Sequence, residues 1–165
     1  MIKLYILLGG NLGDKQLIFS ETKKRLTAQL GAITKESAIY ETEPWGFESD
    51  DMFWNQALEF ETELTPEEVL VQVHNIEHEM GRIRKENQYD SRLIDIDILF
   101  FGNQVINQEY LVIPHPRIQD RKFVLVPLAE IAPEMIHPIF KKTINKLLEE
   151  CTDHLSVQKL TTHNS

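Results

Sequence analysis

The sequence predicts an α+β fold with a ferredoxin-like β-α-β-β-α-β core, in which an antiparallel sheet carries helices on one face. Extended apolar segments and helical patterns alternate in that order along the chain. A run of β-branched and aromatic residues at 93–101 is typical of a central strand. The 165 residues contain no repeat, low-complexity run or Gly/Ser-rich linker, so we expect one domain over 1–165.

The first two predicted elements are a strand and a helix. Residues 2–8 are apolar and end in a Gly-Gly-Asn-Leu-Gly turn. Asp14 can then cap a helix that runs to about Leu30, with Gly31 as its stop signal.

Two extended segments follow, at 33–42 and 53–63, and the loop 43–51 between them is rich in chain-breaking and aromatic residues. In 53–63 apolar and acidic residues alternate. We therefore expect the two sets to face opposite ways: Leu58, Phe60 and Thr62 on one side, and Glu59, Glu61 and Glu63 on the other.

The second helix has the most complete start signal in the chain. Thr65 can act as N-cap, Pro66 fits the first helical position, and Glu68 completes a capping box. Gly81 is the predicted end, and a polar, basic loop is expected over 82–92.

The remaining elements follow the strand at 93–101. We expect an extended piece at 104–106, helices near 123–131 and 143–150, and a polar, loosely ordered tail at about 152–165.

Composition excludes several classes of protein. With 26 acidic and 17 basic residues the net charge is −9, which argues against nonspecific nucleic-acid binding. No stretch approaches the roughly 20 apolar residues of a membrane span, and the N-terminus lacks signal-peptide features. The single Cys151 rules out an internal disulfide framework and favours a cytoplasmic location. No exposed heptad is evident, so a monomer is expected.

The arginines are unevenly placed. Five of the six lie between Arg82 and Lys122, a segment with seven bases and six acids. Because arginine suits forked recognition of phosphate or carboxylate, this clustering indicates a small anionic ligand.

Asp95 and Asp97 give the clearest chemical signal. Two residues apart on a strand, they share one face at a spacing of about 6.6 Å. Paired carboxylates on a rigid strand suit hard divalent cations, above all Mg²⁺ that bridges nucleotide phosphates. The alternative is a solvated polar face, which is common on antiparallel sheets.

A basic loop leads directly into these aspartates. Arg82, Arg84 and Arg92 could neutralise phosphate oxygens there, although a solvated charged loop is an equal alternative for any one of them. No GxxxxGK[ST] loop is present.

Other candidate ligand contacts are one histidine and several aromatic residues. His115 stands between two prolines, and Trp45, Phe53 and Phe123 could line a slot for a flat heterocycle with Asn55 as hydrogen-bonding partner. Ordinary loop and core roles are the alternatives.

One motif is disfavoured. Residues 74–78 match the H-x-x-E-H pattern of zinc peptidases, but five-residue patterns recur by chance and the arginines would have no part in peptide hydrolysis.

Together, six motifs resemble the 6-hydroxymethyl-7,8-dihydropterin pyrophosphokinases of folate synthesis. They occur in order over about residues 2–140, and R-x-x-D-x-D followed by P-H-P-R is the most specific pair. The motifs are Gly9-Gly10-Asn11-Leu12-Gly13, Tyr40-Glu41-Thr42-Glu43-Pro44, Phe53-Trp54-Asn55, Gly81-Arg82-Ile83-Arg84, Arg92-Leu93-Ile94-Asp95-Ile96-Asp97 and Ile113-Pro114-His115-Pro116-Arg117.

The resemblance implies that 1–165 is one pyrophosphokinase domain. It would transfer the terminal diphosphate of ATP to the pterin hydroxymethyl group by in-line attack on the β-phosphorus, releasing AMP. Asp95 and Asp97 would hold two Mg²⁺ ions, and Arg82 and Arg92 would act with them in catalysis. The implied ATP contacts are Leu70, His74, Glu77, Arg84, Ile98, Leu111, Val112, His115 and Arg121. The implied pterin contacts are Thr42, Glu43, Pro44, Trp45, Phe53, Asn55 and Phe123.

Two other functions remain as alternatives. Ferredoxin-like folds also serve as non-catalytic metabolite-binding modules, which have little need of two metal ions. An RNA-binding domain of similar topology would need a basic sheet face, and the acidic strand at 53–63 argues against it.

Overall fold

The computed structural model describes residues 1–43, 52–84 and 93–160, with the backbone alone at 82–84. Within these ranges it contains eight strands, four α-helices and a 3-10 turn at Ile118–Asp120. The strands are β1 (Ile2–Gly10), β2 (Ile33–Glu36), β3 (Tyr40–Thr42), β4 (Phe53–Thr62), β5 (Asp95–Phe101), β6 (Ile106–Gln108), β7 (Leu111–Ile113) and β8 (Gln158–Lys159). The helices are α1 (Lys15–Leu30), α2 (Pro66–Arg84), α3 (Lys122–Ile131) and α4 (Ile144–Glu150).

The main sheet is antiparallel and confirms the α+β prediction. Its strand order is β5-β1-β4-β3-β8, with β2 also paired to β4, while β6 and β7 form a separate hairpin. The predicted extended run at 33–42 is divided into β2 and β3, and both pair with β4. Strand β1 therefore lies between β4 and β5, and β5 is at the edge of the sheet, which corrects the expectation of a central strand at 93–101.

Helices cover both faces of the sheet, which differs from the expected single helical face. On the first face α1 and α2 pack against alternate residues of β1 and β5, including Leu4, Ile6 and Ile96. The intervening residues Leu7 and Leu99 face α3 and α4, which form a second hydrophobic cluster. The extra layer arises because both sets of alternating positions in these strands are apolar.

The predicted helix starts are confirmed by their capping contacts. The Asp14 carboxylate accepts a hydrogen bond from Leu17 N at 3.2 Å. Thr65 Oγ1 accepts from Glu68 N at 3.1 Å, and the Glu68 carboxylate accepts from Thr65 N at 2.9 Å, which is a complete capping box. Each contact is local, so the sequence pattern alone could predict it.

Helix α2 is longer than predicted. It continues through Gly81 to Arg84, so 82–84 are helical rather than loop. A glycine in an exposed helix costs only about 1 kcal/mol, and the arginines that follow are good helix formers. The rest of the expected loop, 85–92, lies outside the described residues.

The C-terminal region is also more structured than predicted. The tail pairs with β3 through β8, and Leu160 N donates to Ile39 O at 2.8 Å. The expectation of a loosely ordered tail is therefore wrong for 152–160, whereas 161–165 lie outside the described residues. The short strand β7 was not predicted because three residues carry no periodic signal.

No helix in the described ranges combines the length and the apolar character that crossing a membrane requires.

Glu59 lies on the face of β4 opposite Leu58 and Phe60, as predicted, but it is only 2% exposed. Its carboxylate accepts hydrogen bonds from the hydroxyls of Tyr5 and Thr34, and Lys3 Nζ lies 3.5 Å away. Burial raises the pKa of Glu59, but these hydrogen bonds and the charges of Lys3 and Lys35 outweigh it. The pKa therefore lies below the ordinary value of 4.5.

We expect Glu59→Ala to lower the free energy of unfolding by about 2 kcal/mol at pH 7, because it leaves the buried Tyr5 hydroxyl without its acceptor. The lowered pKa means that the stabilisation is present above pH 4.5 and is lost as the pH falls through the folded-state pKa. The difference in unfolding free energy between wild type and variant should therefore shrink from pH 7 to pH 3 in urea denaturation.

Glu61→Ala, which removes only a surface partner of Lys3, is the control and should change the free energy of unfolding by less than about 0.5 kcal/mol. A difference that stays constant with pH would contradict the ionised role of Glu59.

Candidate active site

The register of three strands brings the predicted site residues together. Gly9 at the end of β1 lies opposite Asn55 of β4 on one side and Asp95 of β5 on the other. Leu7 lies opposite Asp97. Because paired residues share a face, both aspartates project from the α3/α4 face, beside the end of β4 that carries Asn55.

A cavity of about 290 Å³ opens at this end of the sheet, and we call it the first cavity. Asn55 is 6% exposed and supplies a buried polar group, while Phe53 from β4 and Phe123 from α3 contribute partly buried rings. The predicted residues that line it are Thr42, Glu43, Phe53, Asn55, Asp95, Asp97, Arg121 and Phe123. An apolar cavity with a few polar groups is typical of small-molecule sites.

Sequence reasoning missed four residues of the first cavity: Leu7, Gly9, Gly10 and Leu155. A Cβ atom at Gly9 would lie 2.9 Å from Asn55 Oδ1, and one at Gly10 would lie 3.1 Å from Leu93 O. The two glycines therefore let the strand end approach its neighbours closely. The Gly-Gly pair was the available signal, but on its own it predicted only a turn.

A second cavity of about 370 Å³ lies around β5, α2 and the β6–β7 hairpin. The predicted residues that line it are Leu70, His74, Glu77, Ile98, Leu111, Val112 and His115. Glu109 and Tyr110, in the turn of the hairpin, also line it and were not predicted. Their signal was hidden because β7 itself was not recognised.

Glu77 ties the wall of the second cavity to the sheet. Its carboxylate accepts a hydrogen bond from Ile96 N at 2.9 Å, which joins α2 to β5. Across the described ranges, no group of three or more His, Cys, Asp or Glu side chains is arranged to hold a metal ion. The H-x-x-E-H pattern therefore gains no support from its surroundings.

Asp97 lines both cavities and is the only residue among those described that does so. Asp95 is exposed and Asp97 is partly buried. Two carboxylates at the mouth of a cavity fit Mg²⁺, which is commonly bound through one or two protein carboxylates and completes its octahedron with water and substrate phosphates. The donor set is therefore appropriate for a metal that arrives with a nucleotide.

His115 lies beside Asp97 at the second cavity. Burial lowers the pKa of His115 below its usual value, the Asp97 carboxylate acts in the opposite direction, and Arg121 and Arg117 lower it further. His115 Nδ1 accepts a hydrogen bond from Arg117 N at 3.1 Å, so the neutral ring carries its proton on Nε2. That proton can be donated to an anionic oxygen.

Arg121 lines the first cavity with the two aspartates, and not the second cavity. Its guanidinium carbon lies 5.7 Å from the centre of the Phe123 ring, a distance suited to a cation–π contact. A positive group is thus held against the Phe123 ring in the cavity that the two carboxylates also line.

Some predicted site residues cannot be placed. Pro44, Trp45 and Arg92 lie outside the described residues. Arg82 and Arg84 are described by their backbone alone, in the last turn of α2.

Comparisons with known proteins agree with the arrangement. The model of the family described as 7,8-dihydro-6-hydroxymethylpterin-pyrophosphokinase (HPPK) matches residues 5–133. The 2-amino-4-hydroxy-6-hydroxymethyldihydropteridine pyrophosphokinase of Aquifex aeolicus is 38% identical over 152 residues, covering 92% of this chain and 94% of that protein. The enzyme of the same name from Bacillus subtilis is 42% identical over 132 residues, covering 79% of this chain and 78% of that protein.

Other similar proteins are much longer. The folic acid synthesis protein fol1 of Pneumocystis carinii is 36% identical over 151 residues, which cover 92% of this chain but 20% of fol1. A crystal structure of HPPK-DHPS in complex with substrates has a TM-score of 0.71 at 20% identity, covering 90% of this chain and 43% of that one. Wild-type HPPK-DHPS of Plasmodium falciparum has a TM-score of 0.70 at 19% identity. At these identities the solved structures show similarity of fold.

Gly9→Ala tests whether the glycine positions Asn55. The added Cβ displaces the Asn55 side chain, which the family resemblance implies is a pterin contact, and on that expectation loss of one hydrogen bond should weaken pterin binding about tenfold. The measurement is a fluorescence titration with 6-hydroxymethylpterin.

Gly81→Ala is the matched control, since nothing lies within 4 Å of its added Cβ. It should leave the affinity unchanged. Equal affinities for both variants and the wild type would contradict a positioning role for Gly9.

Proposed function

The chain belongs to the 7,8-dihydro-6-hydroxymethylpterin-pyrophosphokinase family, and we propose that it transfers the diphosphate of ATP to the hydroxymethyl group of 6-hydroxymethyl-7,8-dihydropterin. AMP and the pterin diphosphate are the products, and the reaction is a step of folate synthesis. The family match covers most of the chain, and the two bacterial relatives named above are of similar length to it.

Asp97 lies where the two cavities meet, and this position is the main support for the proposal. Transfer requires the hydroxymethyl group and the β-phosphorus to be held in line and close together. A pterin in the first cavity and a nucleotide in the second would bring their reacting ends together beside this carboxylate.

Asp95 and Asp97 would hold two Mg²⁺ ions. When bound, Mg²⁺ would neutralise charge on the ATP phosphates and lower the barrier to attack on phosphorus. The aspartates project from the rigid strand β5, so their position costs little reorganisation when substrate binds.

The first cavity is the proposed pterin site. Its buried Asn55 would hydrogen-bond to the polar edge of the ring, and Phe53 and Phe123 would contact its faces. Thr42 and Glu43 would supply further contacts from the end of β3. Similar roles for Pro44 and Trp45 rest on the family resemblance.

The second cavity is the proposed nucleoside site. Its apolar residues Leu70, Ile98, Leu111 and Val112 would contact the base and ribose. Its polar residues His74 and Glu77 would hydrogen-bond to them. His115 would donate its Nε2 proton to a phosphate oxygen, and Arg121 would add positive charge from the first cavity. Roles for Arg82, Arg84 and Arg92 at the phosphates rest on the family resemblance.

The proposal also covers the domain organisation, oligomeric state and location of the protein. The chain would act as one domain over 1–165 and as a monomer on two small-molecule substrates. A cytoplasmic location agrees with the single cysteine, Cys151, which is a free thiol.

The reaction is tested by incubating the protein with ATP, Mg²⁺ and 6-hydroxymethyl-7,8-dihydropterin and separating the nucleotide products. AMP should appear in equal amount to the pterin diphosphate. Formation of ADP would refute diphosphate transfer, and binding of both substrates without turnover would favour the non-catalytic metabolite-binding module.

Asp97→Asn should lower kcat at least about 10³-fold at saturating Mg²⁺, because a neutral amide is a poor ligand for the metal. The substitution preserves size, so the melting temperature should change little. Asp120→Asn is the matched control: this carboxylate is exposed at the end of the 3-10 turn and, among the described residues, pairs with Arg117 at the surface. A variant at position 97 that keeps near-normal Mg²⁺-dependent activity would contradict the metal assignment.

A further inference from the structure

We infer that the C-terminal segment 151–160, here called the strap, completes the pterin site and that Leu155 is a pterin-binding residue. This inference rests on the proposed function of the first cavity. The strap lies beyond residues 5–133, the part of the chain that the family model matches. Leu155 lines the first cavity together with Phe53, Asn55 and Phe123.

The strap is anchored on one side of the cavity by Asp153. Its Oδ2 accepts a hydrogen bond from Lys122 N at 3.0 Å, at the first residue of α3. Its Oδ1 accepts from Leu155 N at 3.0 Å. These backbone hydrogen bonds lower the pKa of Asp153, so the carboxylate is charged and its bonds are strong at neutral pH. One side chain thus holds Leu155 next to Phe123, which directly follows Lys122.

The other end of the strap is anchored to β3. Tyr40 and Glu41 pair with β8, and Leu160 N donates to Ile39 O at 2.8 Å. Thr42, the next residue of β3, lines the first cavity. Leu155 therefore lies between two fixed points, α3 on one side and the edge of the sheet on the other.

The chemistry of Leu155 suits the rim of a site for a flat heterocycle. It is partly buried and apolar, and it adds an apolar contact to a cavity whose other described lining comes from the strands and the start of α3. Contact with the pterin would remove apolar surface from water and limit sliding of the ring in its plane. The strap contributes no residue to the second cavity, so this contribution should be confined to the pterin.

Leu155→Ala should therefore weaken pterin binding about tenfold, the effect of losing contact with roughly two methylene groups. The apparent KM for the pterin should rise by a similar factor. The KM for ATP should stay within twofold and kcat within threefold of wild type. Fluorescence titration gives the pterin affinity directly, and steady-state AMP formation gives the kinetic constants.

Val157→Ala is the matched control, because Val157 is a partly buried apolar residue of the same strap that does not line the cavity. It should bind pterin as the wild type does. Leu155→Met, which restores the apolar volume, should recover most of the affinity. Similar losses in the 155 and 157 alanine variants, or a parallel rise in the KM for ATP, would mean that the strap only stabilises the fold and would overturn the inference.

Asp153→Ala tests the anchor, since Asp153 is a positioning residue that acts through Leu155. It should also weaken pterin binding. The Asp153→Ala/Leu155→Ala double variant should lose less pterin affinity than the product of the two single fold-changes. Fully independent effects would contradict the coupling. If the wild type forms no AMP and binds no pterin, the proposed function fails and the inference fails with it. If the wild type is active and Leu155→Ala binds pterin normally, the inference alone fails.

Discussion

The candidate site depends on the pairing of β1 with both of its neighbours. Gly9 lies opposite Asn55 and Asp95 at once, and the alternation of buried residues along β1 fixes that register. A slip of one residue would turn Asp95 and Asp97 toward α1 and α2, away from Asn55 and the first cavity and among the apolar residues that pack against these helices. Packing of an apolar core thus determines where two carboxylates stand.

The layer formed by α3 and α4 turns this sheet end into a cavity. Without it, the carboxylates would lie on an open surface. The start of α3 supplies Phe123, and Arg121 precedes the helix by one residue. Between them, the backbone amide of Lys122 donates a hydrogen bond to the Asp153 carboxylate. The same short stretch therefore provides an aromatic wall, a positive charge and the attachment point of the strap.

Local signals made much of the fold and the site predictable, as the capping contacts of Asp14 and Thr65 illustrate. The shared face of Asp95 and Asp97 was equally predictable, because period-two alternation along a strand is a local property. Glu59 and Leu155 were not predictable. Glu59 is buried only because α3 and α4 cover its face, and its partner Tyr5 is 54 residues away. Leu155 reaches the cavity through contacts with residues more than 30 positions away, and polar composition alone suggested a loose tail.

The position of β5 at the edge of the sheet explains how one carboxylate can reach two cavities. Residues on opposite faces of β5, Asp97 and Ile96, both line the second cavity, which is possible only where a cavity wraps around a strand edge. An unpaired edge is a liability, but here Glu77 accepts from Ile96 N, and Leu99 O accepts from His115 N. The groups that satisfy this edge, the Glu77 carboxylate and the backbone amide of His115, belong to residues of the proposed nucleotide site. Protection of the edge and formation of the site are therefore one structural solution, and a substitution at Glu77 would affect both.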